Sequence, residues 1–295
     1  MNWKNVLFIG AVSLLPASMM AQANILNAKK PEEIGVRTEA QKAVDNDAPL
    51  EYAYVDDRDI LWSKTLWETI DLDERVNFPL YYPTDTMGIG KDRRSLYHVL
   101  VKSIKNGDLE VYTDSYFTEK RKFSDLSASL QSVDTLEFGI EQLNAGEQLS
   151  EEFVTRREID ASLIEEYRIK GMWYFDKRMG ELKYRLLGIA PVAPDVNFLD
   201  DENPDKVELF WVWYPDARGI LHEAKVFNQQ NSAQPISFDM LLNARRFNAV
   251  IYKEDNVYGD REVKDYIADN ALFQLLEAKR IKEAIRDREQ DMWAY

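Results

Sequence analysis

Cysteine is absent from all 295 residues, and histidine occurs only twice. The first absence excludes thiol catalysis, thiolate metal sites and disulfide support. It also removes the residue that an outer-membrane lipoprotein must acylate, so the chain is expected to carry no lipid anchor of its own. His98 and His222 are too few for a zinc site built from imidazoles at short spacing. Either could serve a hydrolase triad, which needs one histidine near a nucleophile and an acid. His98, however, sits within an amphipathic helical pattern and His222 on an expected hairpin strand, where ordinary packing accounts for both. Basic charge is scarce as well: 37 Lys and Arg stand against 52 Asp and Glu, a net charge of -15. Phosphate binding is driven by Lys and Arg releasing counterions, so nucleic acid is not an expected partner. The same deficit disfavours free association with anionic membranes. After the first two dozen residues no apolar run is long enough to span a bilayer, and no direct membrane insertion is expected.

What is present begins with an address. Lys4 precedes the apolar run Val6 to Leu15, and Ala21-Gln22-Ala23 offers a small-x-small cleavage site, together a secretory signal peptide over residues 1–23. Export without cysteine leaves the rest of the chain to stand on its own packing. At 45% hydrophobic and 12% aromatic content it is a folding composition rather than a disordered one. Seven Trp and fifteen Tyr supply either an aromatic-rich core or contact surface, since such residues are enriched in interface centres.

Residues 24–56 have little apolar periodicity and read as an extended N-terminal arm. Residues 57–118 form an α+β part. Trp62, Leu66, Thr69 and Ile70 fall at i, i+4, i+7 and i+8, which predicts a helix from Asp57 or Asp59 to about Ile70. Pro79 and Pro83 then impose a loop and an extended segment. Asp92 is expected to cap a helix whose Leu96, Val99, Leu100, Ser103 and Ile104 share a face, with Gly107 at its C-cap and the strand LEVYTD after it. Residues 119–157 carry a weaker helical pattern (Leu126, Leu130, Val133) and read as a linker or helical insertion. Residues 158–295 form a second α+β part with a terminal helix. One hairpin is predicted around Met179-Gly180 and another around PDARG, with Leu209, Trp211 and Trp213 on one strand face and Phe210, Val212 and Tyr214 on the other. A strand apolar on both faces must be covered on both, by its own helices or by another subunit. Ser237 caps a further helix. From Asp269 one long amphipathic helix follows, its stripe formed by Leu272, Leu275, Leu276, Ile281 and Ile285. The expected fold class is α+β, antiparallel hairpins packed with amphipathic helices and a long C-terminal helix.

Catalytic motifs are weak. GIGKDRRS (Gly88 to Ser95) has the outline of a phosphate loop, but Asp85 and Asp92 occupy the positions of its first glycine and its hydroxyl residue. Carboxylates cluster at Asp56-Asp57, at Asp71, Asp73 and Glu74, and in Leu199 to Asp205, without EF-hand spacing. Two carboxylates satisfy the glycosidase rule almost anywhere, so they identify nothing. No cofactor is expected.

One stretch is distinctive. Trp62 and Trp67, the run Ile70 to Glu74, Asn77 and the close Pro79 to Pro83 resemble the signature of the GldN/PorN family, components of the Bacteroidetes type IX secretion and gliding machinery. The resemblance continues through RRSLYHVL, DLEVY, Arg245 to Tyr258 and the terminal DREQDMWAY. It implies a non-enzymatic periplasmic subunit that self-associates in a ring with a GldK/PorK-like lipoprotein at the inner face of the outer membrane. It also implies contact with the periplasmic portion of a GldM/PorM-like protein. The candidate contact residues are Trp62, Trp67, Asp71, Asp73, Tyr81, Tyr82, Trp211 and Trp213. The alternative, from exposed Trp and Tyr alone, is a periplasmic peptidoglycan- or carbohydrate-binding module.

Overall fold

Ile60–Asp71 is a strand (β1), not the helix its apolar spacing predicts. Leu66, Trp67 and Glu68 are buried in succession, so this stretch is covered on both faces and loses the alternation that marks a half-buried strand. Ile60, Thr65, Thr69, Ile70 and two tryptophans instead carry the preference for extended backbone.

The computed structural model describes residues 30, 39–44, 46–85, 93–135, 138, 142, 144–145, 151–201, 204–228, 231, 235–268 and 270–293. The expected signal peptide, much of the expected arm, and Gly88 to Asp92 fall outside them. Two units divide the chain, Met1–Ala48 and Pro49–Tyr295. In the first, Glu39–Val44 forms a short helix (α1).

The second unit is α+β. Its remaining strands are β2 (Val111–Tyr112), β3 (Lys120–Arg121), β4 (Gln131–Thr135), β5 (Val154–Glu158), β6 (Glu166–Asp176), β7 (Glu181–Pro194), β8 (Lys206–Glu208), β9 (Trp211–Trp213), β10 (Lys225–Val226), β11 (Ile236–Ser237) and β12 (Val250–Glu254). Its helices are α2 (Phe78–Tyr81), α3 (Leu96–Asn106), α4 (Phe123–Leu130), α5 (Tyr214–Glu223), α6 (Phe238–Asn243), α7 (Val263–Tyr266) and α8 (Ala271–Trp293). The main sheet runs β12-β1-β6-β7-β9-β2-β3, with β8 on β7, and all these pairings are antiparallel. Strands from before and after residues 119–157 thus share one sheet.

The expected β6-β7 hairpin is present, with Gly180 at φ 65 in its turn. The second expected hairpin is not. After Trp213 the chain turns into α5, because Pro215 occupies the first helical turn, where its missing N–H costs nothing. His222 therefore lies on a helix. The α3 helix has its apolar face as predicted and ends at Gly107 (φ 82), but Ser95 caps it, accepting the His98 N–H at 3.3 Å. Ser237 caps α6 through the Met240 N–H. Residues 119–157 contribute α4, with Leu126 and Leu130 buried, whereas Val133 is exposed on β4.

By register Leu66, Glu68 and Ile70 share a face with Ile169, Tyr167, Ile189 and Leu186. This face meets the core, in which Ile70, Tyr167, Ile169 and Val212 join Leu96, Leu100, Ile104, Leu221 and Leu242 of the helices. At its other end Leu66 and Ile251 pack with Ala278, Ile281 and Ile285 of α8. The N-terminal half of the predicted α8 stripe, Leu272, Leu275 and Leu276, is exposed instead, as is the neighbouring Phe273.

Candidate interaction surface

The opposite sheet face carries Trp67, Lys170, Lys253, Gly188 and Trp211, placed side by side by strand register. A short loop closes over it. Asp114 accepts the N–H groups of Tyr116 and Thr118 and the Thr118 hydroxyl, and Phe117 adopts φ 59. Phe117 then packs edge-on against Trp213 at 4.8 Å and Tyr112 at 5.3 Å. Only glycine fits beneath it, since a Cβ on Gly188 would lie 2.4 Å from its ring. The ammonium groups of Lys170 and Lys253 stand 4.8 and 4.5 Å from the Trp67 ring centre. Burial, then the neighbouring Lys253 charge, pushes the Lys170 pKa down. Trp67 and Trp211 are consequently interior residues, 2% and 0% exposed, while Trp213 is half-buried against Phe117. Trp62 is half-buried beside Ile281 and Ile285 of α8.

The rest of the signature divides into an inner and an outer face. On the inner face Asn77 donates to the Asp71 and Asn248 carbonyls at 2.6 and 3.1 Å and accepts the Asn248 N–H at 2.9 Å. Leu72 and Leu80 are buried beside it. Tyr81 is partly covered and donates its hydroxyl to the Ser162 carbonyl at 3.0 Å. On the outer face Asp71, Asp73, Val76 and Tyr82 are exposed, the last two at 51% each. The Tyr82 ring is held between Phe78 (5.5 Å) and Tyr81 (4.7 Å). The turn thus exposes two apolar side chains and two carboxylates on a backbone that Asn77 fastens from behind.

Sequence reasoning missed the Glu68–Arg245 pair. Arg245, at φ 49, forms a two-pronged contact with the buried Glu68 carboxylate at 2.9 and 2.8 Å. Its guanidinium lies 4.1 Å from the Tyr184 ring centre. Burial, then the Glu68 charge, drives the Tyr184 hydroxyl pKa far upward, so it stays protonated. No short-range signal marks partners 177 positions apart. The pair forms the floor of a cavity of about 470 Å³ beneath α8. A second cavity, about 920 Å³, is lined by Tyr97, His98, Lys105, Glu158 and Asp160. Burial, then Arg94, Lys102 and Lys105, holds the His98 pKa below its ordinary value. Among the described residues no group of three or more His, Cys, Asp or Glu is placed to hold a metal, and no helix is long and apolar enough to cross a membrane.

Two segments that carry the resemblance, Trp62 to Pro83 and Arg245 to Tyr258, are therefore physically joined: β1 pairs with β12, Glu68 with Arg245, and Asn77 with Asn248. The family model described as "Gliding motility associated protein GldN" matches residues 55–294. The chain belongs to the GldN family. No curated protein matches the sequence. The GldN match spans the whole sheet and every helix of the second unit, and it associates the chain with gliding motility.

Proposed function

We propose that this GldN-family chain is a non-enzymatic structural subunit of the type IX secretion and gliding apparatus, working in the periplasm. In this reading a GldK/PorK-like lipoprotein holds it at the inner face of the outer membrane. The two build a ring together, and the ring meets the periplasmic portion of a GldM/PorM-like protein. Family membership supports the gliding association. The observation that carries the structural role is the signature turn, whose inner face fastens the sheet while its outer face presents Tyr82, Val76, Asp71 and Asp73 to solvent. A closed ring needs two different patches on each copy. The exposed apolar start of α8, far along the chain from the signature, offers a second.

The test is co-expression with the lipoprotein, purification on a tag carried by one protein, and negative-stain microscopy of the product. Rings or arcs containing both proteins are expected. Tyr82→Ala is expected to weaken the complex about thirtyfold, the equivalent of ~2 kcal/mol for an aromatic interface anchor, without changing the unfolding temperature. A monomer that ignores the lipoprotein yet pellets with purified cell wall would retire this reading in favour of a wall-binding module.

A further inference from the structure

Residues 49–56 cross the surface of the second unit without entering its sheet. Among the described residues no backbone-to-backbone hydrogen bond ties Pro49 to Val55 to the body. The attachment is made by side chains instead. Arg218 donates to the Leu50 carbonyl at 2.5 Å, Arg185 to that of Ala53 at 2.9 Å, and Arg178 to that of Tyr54 at 2.7 Å. Between the first two of these the Tyr52 ring is stacked, with guanidinium carbons 4.1 Å (Arg218) and 4.7 Å (Arg185) from its centre. Its hydroxyl donates to Asn243 at 2.8 Å.

The slot is rigid from behind. Arg218 donates to the buried Asp239 carboxylate at 2.9 and 3.2 Å, and the same carboxylate accepts from Tyr214 at 2.9 Å and Asn243 at 2.7 Å. Planar guanidinium groups pre-set in this way present fixed donors at little further entropic cost. What the slot reads is therefore limited: extended backbone carbonyls and one phenol. The strap supplies both, through the Leu50, Ala53 and Tyr54 carbonyls and the Tyr52 ring. Leu50 and Tyr54 remain exposed, so lifting the strap uncovers little apolar surface.

We propose that this slot is an exchangeable docking site, filled in the assembled protein by the 49–56 strap of a second copy of the same chain. The turn at Asp57–Asp59, capped by Asp56, is the pivot. Eight extended residues reach about 26–29 Å, enough to bridge to a touching neighbour. An exchanged strap makes the contacts it makes at home, which is why swaps of identical segments cost little. Each copy then gives a strap to one neighbour and takes one from another or from the same partner.

The proposal rests on the self-association put forward above, and the experiment separates the two. Full-length chain carrying p-benzoylphenylalanine in place of the exposed Tyr54 is prepared unlabelled and ¹⁵N-labelled, mixed with the lipoprotein present, irradiated and digested. Exchange predicts crosslinks from position 54 to the Arg178 to Arg185 region in which about half join labelled to unlabelled chain. Tyr52→Ala should lower their yield roughly tenfold, and Tyr52→Phe, which keeps the ring, far less. Rings whose crosslinks are all of one isotope would overturn the exchange and leave the ring reading standing. Mixed crosslinks without rings would do the reverse. Single-isotope crosslinks in a monomer would overturn the exchange as well.

Discussion

The side-chain amide of Asn77 closes a two-point contact on the backbone of Asn248, accepting its N–H at 2.9 Å and donating to its carbonyl at 3.1 Å. A third bond, to the Asp71 carbonyl, makes this residue the pin between the end of β1 and the approach to β12. Asn77→Ala removes the side-chain partner of three backbone groups at a part-buried junction. The expected loss is about 1–3 kcal/mol, read as a lower urea midpoint. Asn77→Asp, which turns a carboxylate oxygen onto the Asp71 and Asn248 carbonyls, should lose at least as much.

Gly171 lies under the Tyr184 ring, and a Cβ there would come within 2.0 Å of the Tyr184 hydroxyl. Arg245 and Trp173 hold that ring in place. Gly171→Ala is expected to destabilise by ~1–3 kcal/mol through overpacking. In a Tyr184→Ala background the same change should cost much less, a non-additivity that a double-mutant cycle reads directly. Equal costs in both backgrounds would contradict the assigned contact.

His98 gives a signed pH dependence. Its pKa is depressed in the folded chain by burial and by three nearby cations, below the ordinary 6.5. The unfolded chain therefore takes up the proton first. This contribution to stability is intact above the unfolded value and is lost as pH falls through the window beneath it. The unfolding temperature of the wild type should drop across that window, and His98→Gln should flatten the decline. Superimposable profiles would contradict the assignment.

Trp67 and Tyr82 come from one signature but should fail differently. Trp67→Ala empties a site walled by Trp211, Ala190 and two lysine stems, and a loss of about 3–5 kcal/mol is expected. Tyr82→Ala should leave thermal unfolding unchanged and act on assembly alone. Calorimetry and co-purification on the same two variants tell these effects apart.

Much of the fold was legible where local chemistry is decisive: Gly107 and Gly180 at positive φ, Ser237 as a cap, and the α3 face. Errors arose where tertiary context overrode pattern. Glu68 is buried on β1 with Arg245 paired to it, and coverage on both faces removes the alternation that would mark a strand. Pro215 suits either a turn or a first helical turn, and the packing of Leu221 under the sheet selects the helix. The Tyr52 slot left no trace in sequence, since its three arginines and their targets lie more than 120 positions apart. The signature itself was visible, but not which of its aromatics face outward.

The ends of the main sheet limit how this chain can meet another. On one side β3 is two residues long, Lys120-Arg121, and on the other β12 is flanked by a bridge from Lys253 to Glu262. Short, charged or occupied borders offer poor templates for an incoming strand. Copies of this chain are therefore steered away from merging their backbones into a continuous ribbon. Assembly is left to surface chemistry that evolution can retune one residue at a time, while the scaffold behind it stays closed to fibre growth.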